Sequence, residues 1–281
     1  MGGRRMSGFL DAMRSTSARR VAASKARETY GALERRAYTA PAAPALRLAD
    51  YGFDVIAEIK LRSPAAGALG QASDDWLGRA VAYARAGAVA VSVLTEESRF
   101  DGSLEHLRAV AQACAPLGVP AMRKDFLVDP YQVLEARAYG AGGILVILRM
   151  LPREGIAHLL DIAASLGLFT LLEAFDAKDL ALGAEILAAR GATKRGSVLI
   201  GVNCRDLQTL QVRQEVFAEL APYLPKYLPA VAESGVGAPA EACAVRKLGY
   251  RVALIGTALM SSADPAAHLA GILAAARASR P

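Results

Sequence analysis

From Val55 to the C-terminus, eight short apolar or β-branched runs alternate with longer Ala/Leu/Glu/Arg-rich segments of helical period. The runs cover residues 55–60, 89–94, 119–124, 144–148, 169–173, 198–203, 229–233 and 252–256. The spacing between their starts, 23 to 34 residues, is the length of one strand plus one crossover helix. Residues 76–86, 104–117, 130–139, 153–166, 178–190, 214–223 and 239–248 read as those helices. Gly87, Gly118, Gly140, Gly167, Gly191 and Gly249 follow six of them, where a left-handed C′ residue belongs. Strands apolar on both faces imply a parallel sheet covered by helices, which leaves an open doubly wound sheet or a closed (β/α)8 barrel.

The count of eight favours the barrel, and so do the strand ends. Nearly every run finishes on a polar residue: Glu58 and Lys60, Thr95 and Glu96, Lys124, Glu173, Asn203, Glu233. A barrel gathers its working groups at the C-terminal ends of its strands, whereas an open sheet gathers them at one switch point. No GxGxxG follows the first run, which weakens a dinucleotide-binding alternative. The expected architecture is an α/β (β/α)8 barrel over residues 51–281. Residues 1–50 form a basic extension before it, with an additional helix and a Pro/Ala linker at Pro41–Pro44.

The net charge of +6 resides wholly in that extension, where ten Lys/Arg face four Asp/Glu; the other 231 residues carry 23 of each. Without interleaved aromatics or a DNA-reading motif, the extension reads as a solvated basic helix with an apolar stripe at Phe9, Leu10 and Met13, so no nucleic-acid partner is expected. No apolar run approaches the roughly 18 residues of a membrane span, and Asp11 and Arg14 interrupt any signal core, so a soluble cytoplasmic protein without a membrane partner is expected. Cys114, Cys204 and Cys243 are few, odd in number and far apart, which argues against a disulfide framework or a structural zinc. His106, His158 and His268 read as helix-surface residues.

Five ionisable groups converging on one barrel mouth (Glu58, Lys60, Lys124, Glu173, Glu233) would be costly to bury without function, and a lysine beside glutamates suits general acid work. Two turns suit an oxyanion: residues 232–237, with Ser234 and Gly235, after the seventh run, and 255–258, with Gly256 and Thr257, after the eighth. Glycines there let backbone N–H groups approach a phosphate. Ser63-Pro64 is placed to close a third side of that site.

These residues stand in motifs that resemble the indole-3-glycerol phosphate synthase family. They are Ala57-Glu58-Ile59-Lys60 with Ser63-Pro64; Val91-Ser92-Val93-Leu94-Thr95-Glu96 with Phe100; Arg123-Lys124-Asp125-Phe126; Leu172-Glu173; Gly201-Val202-Asn203 with Arg205-Asp206-Leu207; Ala232-Glu233-Ser234-Gly235; and Gly256-Thr257-Ala258. The resemblance implies conversion of 1-(2-carboxyphenylamino)-1-deoxyribulose 5-phosphate to indole-3-glycerol phosphate, carbon dioxide and water, with no cofactor and no metal. It implies Lys124 as the acid that protonates the ketone oxygen, and Lys60, Glu58 and Glu173 as groups for the later proton transfers, with spacing silent on which acts where. Asn203 and Glu233 would orient hydroxyls and the amine, and Arg205 would support the anthranilate end. Ser63, Ser234, Gly235, Gly256 and Thr257 would hold the phosphate, and Phe100, Phe126 and Leu145 would flank the aryl ring. Other tryptophan-pathway enzymes are candidate partners. Leu61, Arg62, Ala65 and Cys204 depart from the family's usual residues, which bears on phosphate binding rather than on the acids and bases. Two competing readings are a phosphoribosyl isomerase on a similar barrel and a barrel that binds a metabolite without turning it over.

Overall fold

The computed structural model describes residues 8–50, 52–63, 67–68, 75–190 and 197–279. Eight parallel strands close into a barrel: β1 (Asp54–Ile59), β4 (Ala90–Leu94), β5 (Ala121–Lys124), β6 (Gly143–Ile147), β7 (Phe169–Ala174), β8 (Val198–Asn203), β9 (Ala230–Glu233) and β10 (Val252–Ile255). β1 pairs with both β4 and β10, which closes the ring. A two-residue hairpin, β2 (Arg62–Ser63) with β3 (Gly67–Ala68), stands outside it. Three of the strands start later than their apolar runs: β4 by one residue, at Ala90, and β5 and β9 for a reason of backbone chemistry. Pro120 and Pro229 lack the N–H a ladder needs, so β5 begins at Ala121 and β9 at Ala230, although both proline carbonyls still accept ladder bonds from Val91 and Ile200.

The main crossover helices are α3 (Trp76–Arg85), α5 (Leu104–Cys114), α6 (Pro130–Ala138), α7 (Arg153–Ser165), α8 (Ala177–Arg190), α9 (Glu215–Leu220) and α10 (Pro239–Lys247). Gly87, Gly118, Gly140, Gly167 and Gly249 all take left-handed φ values, as a C′ residue should; Gly191 lies outside the described residues. Three helices after the extension have no bounds in the sequence reading: the four-residue turns α4 (Glu97–Phe100) and α11 (Thr257–Met260), and α12 (Pro265–Ala278), which carries His268 and completes the outer ring. Among the described residues, no helix is long and apolar enough to cross a membrane.

Alternation along each strand splits the core in two. Val55 and Ala57 of β1 face outward and pack with helix residues such as Leu107, Val110 and Ile272. Ile56 faces inward with Met122, Leu145, Leu171, Leu199 and Val231. Toward the C-terminal mouth the same inward parity delivers Glu58, Lys124, Glu173, Asn203 and Glu233, so the barrel interior is apolar below and ionisable above.

The extension holds two helices rather than one: α1 (Gly8–Arg27) and α2 (Tyr30–Thr39). Thr29 starts the second by capping Ala32 N, which breaks the run. The apolar stripe of α1 is not solvated. Leu10 and Met13 join the barrel's inner cluster, while Val21 packs with Leu33 and Ala37 of α2 and Tyr131 and Leu134 of α6.

Candidate active site

Lys124 is the last residue of β5, and its Nζ lies 3.3 Å from Glu233 Oε2 and 3.8 Å from Glu173 Oε1. Asn203, ending β8, donates from Nδ2 to Glu173 Oε1 at 2.6 Å and accepts from Ser234 Oγ at 2.9 Å. Immediately after β1, Lys60 Nζ is 3.0 Å from Oε1 of Glu58, which β1 carries. All three carboxylates are buried, and Glu58 Oε2 and Glu233 Oε1 have no hydrogen-bond partner among the described residues. Two glycines make room for them. A Cβ on Gly201 would strike Glu233 Oε1, and one on Gly256 would strike Glu58 Oε1 and stand 3.0 Å from Lys60 Nζ.

Burial, reinforced by the Glu173 carboxylate, pushes the Glu233 carboxyl up to about 8 despite the opposing pull of Lys124. Burial by itself disfavours the Lys124 cation, but Glu173, Glu233 and Glu58 together outweigh it and hold the ammonium above the ordinary lysine range. Near neutral pH the cluster therefore contains a charged Lys124 able to donate a proton and a Glu233 that retains one.

Glu58, Lys60, Lys124, Glu173, Asn203 and Glu233 line one cavity of about 530 Å³. Phe100, Phe126, Leu145, Arg205, Ser234, Gly235, Gly256 and Thr257 line the same cavity. The side chain of Ser63, and the whole of Pro64 and Ala65, lie outside the described residues. Arg62 lies half-exposed with its guanidinium 3.8 Å from Asp101, away from the cavity lining. Phe100 and Phe126 stand with ring centroids 6.2 Å apart, and Phe9 meets Phe126 edge-on at 5.9 Å.

Phe9 and Leu10 are site residues that the sequence marked only as an amphipathic stripe. Phe175 and Leu210 gave no local signal, and Leu207 stood only as the end of the Arg205-Asp206-Leu207 motif. Phe175 reaches the cavity with Arg149 stacked on its ring at 4.6 Å. Leu207 and Leu210 sit on a loop that Asp206 folds by accepting from Gln208 N and Thr209 N. Arg205 donates to the Leu210 carbonyl at 2.8 Å, so its guanidinium also clasps this loop. Thr95 and Glu96, polar strand-end residues, serve local structure: Glu96 caps α4, and Thr95 donates to Asp125.

Asp125 anchors a buried network behind Lys124. Its carboxylate accepts from both terminal nitrogens of Arg20 on α1, from Arg123, from Thr95 Oγ1 and from Phe126 N. Burial would raise this carboxyl, but the two arginines and Thr95 overcome that and hold it well below the usual range. Arg123 also donates to Glu135 and to the Gln132 carbonyl, and Gln132 reaches Ser17 of α1. Through these bonds α1 is tied to the residues flanking Lys124.

In the loop after β9, Ser234 and Gly235 are both left-handed, with φ of 66° and 67°. The Ser234 hydroxyl is committed to Asn203. Cys204 is buried against this turn: a Cβ on Gly235 would stand 2.8 Å from its Sγ, and burial pushes the thiol up to about 11. Among the described residues, no three His, Cys, Asp or Glu side chains form a group that could hold a metal ion.

A family model described as indole-3-glycerol phosphate synthase matches residues 10–272, a range that includes Leu10, an α1 residue lining the cavity. The chain belongs to the indole-3-glycerol phosphate synthase family. It is 40% identical over 255 residues to the indole-3-glycerol phosphate synthase of Rhodococcus opacus, covering 90% of each chain. It is 41% identical to that of Mycobacterium leprae, over 89% of each. Membership makes the chain a carboxy-lyase of tryptophan biosynthesis acting on a small phosphate-bearing substrate. More distant structures share the fold alone. A thiamine phosphate pyrophosphorylase from Pyrococcus furiosus superposes with a TM-score of 0.57 at 15% identity, over 80% of this chain and 95% of its own. A 3-hexulose-6-phosphate synthase from Salmonella typhimurium does so with 0.59 at 13% identity, over 80% and 98%.

Proposed function

We propose that Lys124 is the general acid of the ring closure, acting in a catalytic barrel of residues 51–281 whose mouth is capped by the 1–50 extension. In this step the aryl carbon bearing the carboxylate attacks the ketone carbon of the substrate. The carbon–carbon bond forms, the carbonyl oxygen gains the Lys124 proton, and loss of carbon dioxide returns the electron pair to the ring. The observation carrying this assignment is the position of the Lys124 ammonium, 3.3 Å from Glu233 and 3.8 Å from Glu173 at the centre of the mouth.

The new hydroxyl then leaves as water, which needs a second acid, and a proton comes off the adjacent carbon to complete the pyrrole ring. Glu58 and Lys60 form the second acid–base pair, 3.0 Å apart across the cavity floor, with Glu173 able to return a proton to Lys124. Asn203 and Glu233 orient the substrate's hydroxyls and amine. Phe100, Phe126 and Leu145 flank its aryl ring, and Arg205 faces its carboxylate. Ser63, Ser234, Gly235, Gly256 and Thr257 take the phosphate, mainly through backbone N–H groups of the loops after β9 and β10. The reaction runs in the cytoplasm, beside the pathway enzymes that supply its substrate and use its product.

Mixing the protein with the carboxyphenylamino substrate tests the reading directly. Indole fluorescence appears with wild-type protein and falls by orders of magnitude with Lys124→Ala, while inorganic phosphate competes with the substrate. A Lys124→Ala protein that keeps more than about a tenth of wild-type turnover removes Lys124 from the mechanism.

A further inference from the structure

The 234–238 loop is held in an unusual shape. Ser234 is a non-glycine residue in the left-handed region, directly followed by a second left-handed residue, Gly235. Such a conformation persists only where the surroundings over-determine it. Three side chains from three elements supply that constraint. Gln214, preceding α9, donates from Nε2 to both the Gly235 carbonyl and Glu241 Oε1. Glu241, in the first turn of α10, accepts from Gly237 N and Ala238 N at 2.7 and 3.0 Å. His268, on α12, meets the Gly237 carbonyl through Nε2 at 2.7 Å. A carbonyl oxygen only accepts, so His268 presents Nε2 as N–H.

The third contact is the informative one. Glu241 uses up the N–H groups of Gly237 and Ala238, so the loop's opposite face must serve any anion, and that face is aimed by the direction of the Gly237 carbonyl. Gly237 also fits closely against the loop after β10: a Cβ there would stand 2.7 Å from the Ala258 Cβ. The histidine therefore braces the place where the two loops proposed to hold phosphate meet. His268 does not line the cavity, whereas Gln214, Gly237, Glu241 and Ala258 do.

We propose that His268 is a positioning residue for the phosphate end of the substrate: its Nε2–H holds the 234–238 loop in register with the loop after β10 without touching the ligand. The inference rests on the phosphate placement given above. Losing one such hydrogen bond weakens binding by about three- to tenfold and leaves the chemical step alone, because the bond falls at Gly237, four residues past Glu233, the β9 member of the Lys124 cluster.

The test measures KM, kcat, the inhibition constant for inorganic phosphate, and the thermal midpoint in four proteins. They are wild type, His268→Leu, His268→Gln and Thr257→Ala. His268→Leu should raise KM and the phosphate constant together by about three- to tenfold with kcat within about twofold. His268→Gln should return both to within about twofold of wild type, because glutamine Nε2 lies as many bonds from Cα as histidine Nε2. If His268→Leu changes neither constant while Thr257→Ala raises both, the phosphate site stands and the role of His268 is refuted. If neither variant moves the phosphate constant, the role of His268 is refuted, and if phosphate also fails to compete with the substrate in wild type, the phosphate placement fails with it. Equal impairment of Gln and Leu also refutes it, since ring packing rather than the hydrogen bond would then matter. Should the leucine protein not fold, His268→Asn replaces it. Its amide falls one bond short, so Asn impaired beside a wild-type-like Gln supports the role, and equal behaviour of the two overturns it.

Discussion

Replacing Asp125 with Asn should unfold this protein far more readily than removing Arg20, although the two residues form one ion pair. Asp125 is fully buried and its carboxylate accepts five hydrogen bonds, four of them from Arg20, Arg123 and Thr95. An amide of the same shape removes the negative charge from between two guanidinium groups and turns one acceptor into a donor facing donors. Breaking a buried pair in this way costs about 3–5 kcal/mol. Arg20→Ala leaves Asp125 with Arg123, Thr95 Oγ1 and Phe126 N, and removes a side chain that is one-fifth exposed, so about 1.5–3 kcal/mol is expected. At about 2–4 °C per kcal/mol for a chain of this size, Asp125→Asn should lower the melting temperature by about 10 °C and Arg20→Ala by about half that. Because Asp125 is held below its ordinary range, the unfolded chain binds its proton more readily. The pair's stabilisation is therefore complete above about pH 4 and fades only as pH falls below the unfolded value. Circular dichroism melts of both single variants and the double variant between pH 3 and pH 7 test this. Arg20→Ala costing as much as Asp125→Asn, or the two effects adding fully in the double variant, would refute the shared network.

Three further outcomes follow from the same geometry. Lys124→Ala should lower kcat by about two to four orders of magnitude and leave inorganic phosphate binding unchanged, as read by steady-state fluorescence and phosphate competition. Infrared difference spectra should show a protonated-carboxyl band that is lost as pH rises through about 8 and is missing in Glu233→Gln. The folded state binds that proton more tightly than the unfolded chain, so Glu233 favours folding below about pH 4.5 and that contribution is lost as pH rises through about 8; a carboxyl ionised by pH 5 would contradict this. Gly256→Ala should lower kcat and raise KM together, because its methyl displaces Glu58 and Lys60 while altering the phosphate loop; unchanged kinetics would show that the pair can move aside freely.

What the sequence revealed, and what it hid, divides along a physical line. Strand positions were legible because each run is apolar on both faces. Helix ends were legible because Gly87, Gly118, Gly140, Gly167 and Gly249 occupy conformations other residues avoid. The convergence of Glu58, Lys60, Lys124, Glu173 and Glu233 on one cavity was legible because a charged residue ending an apolar run has few structural reasons to be there. Residues that act by reaching across the fold left no such mark. Asp125 reads as part of a motif, but its partners lie 30 and 105 residues away, at Thr95 and Arg20. His268 reads as a surface histidine on a helix whose bounds went unread, since α12 is too uniformly apolar to show a clear stripe.

The cavity's charge pattern shows why those distant residues matter to binding. Among the described residues its lining carries three basic side chains, Lys60, Lys124 and Arg205, against five acidic ones, Glu58, Asp125, Glu173, Glu233 and Glu241. A substrate bearing both a phosphate and a carboxylate thus enters a site whose side chains are, on formal count, net negative. Three of the five carboxylates are offset by something other than those three basic side chains. Arg20 and Arg123 hold Asp125, the amides of Gly237 and Ala238 hold Glu241, and burial keeps Glu233 protonated. In the proposed binding mode the substrate's anionic groups are left to Lys124, Arg205 and oriented backbone N–H groups, whose value depends on the loops being fixed before the substrate arrives. On this argument α1, through Arg20, and α12, through His268, contribute to substrate affinity although neither supplies an acid or base to the proposed chemistry.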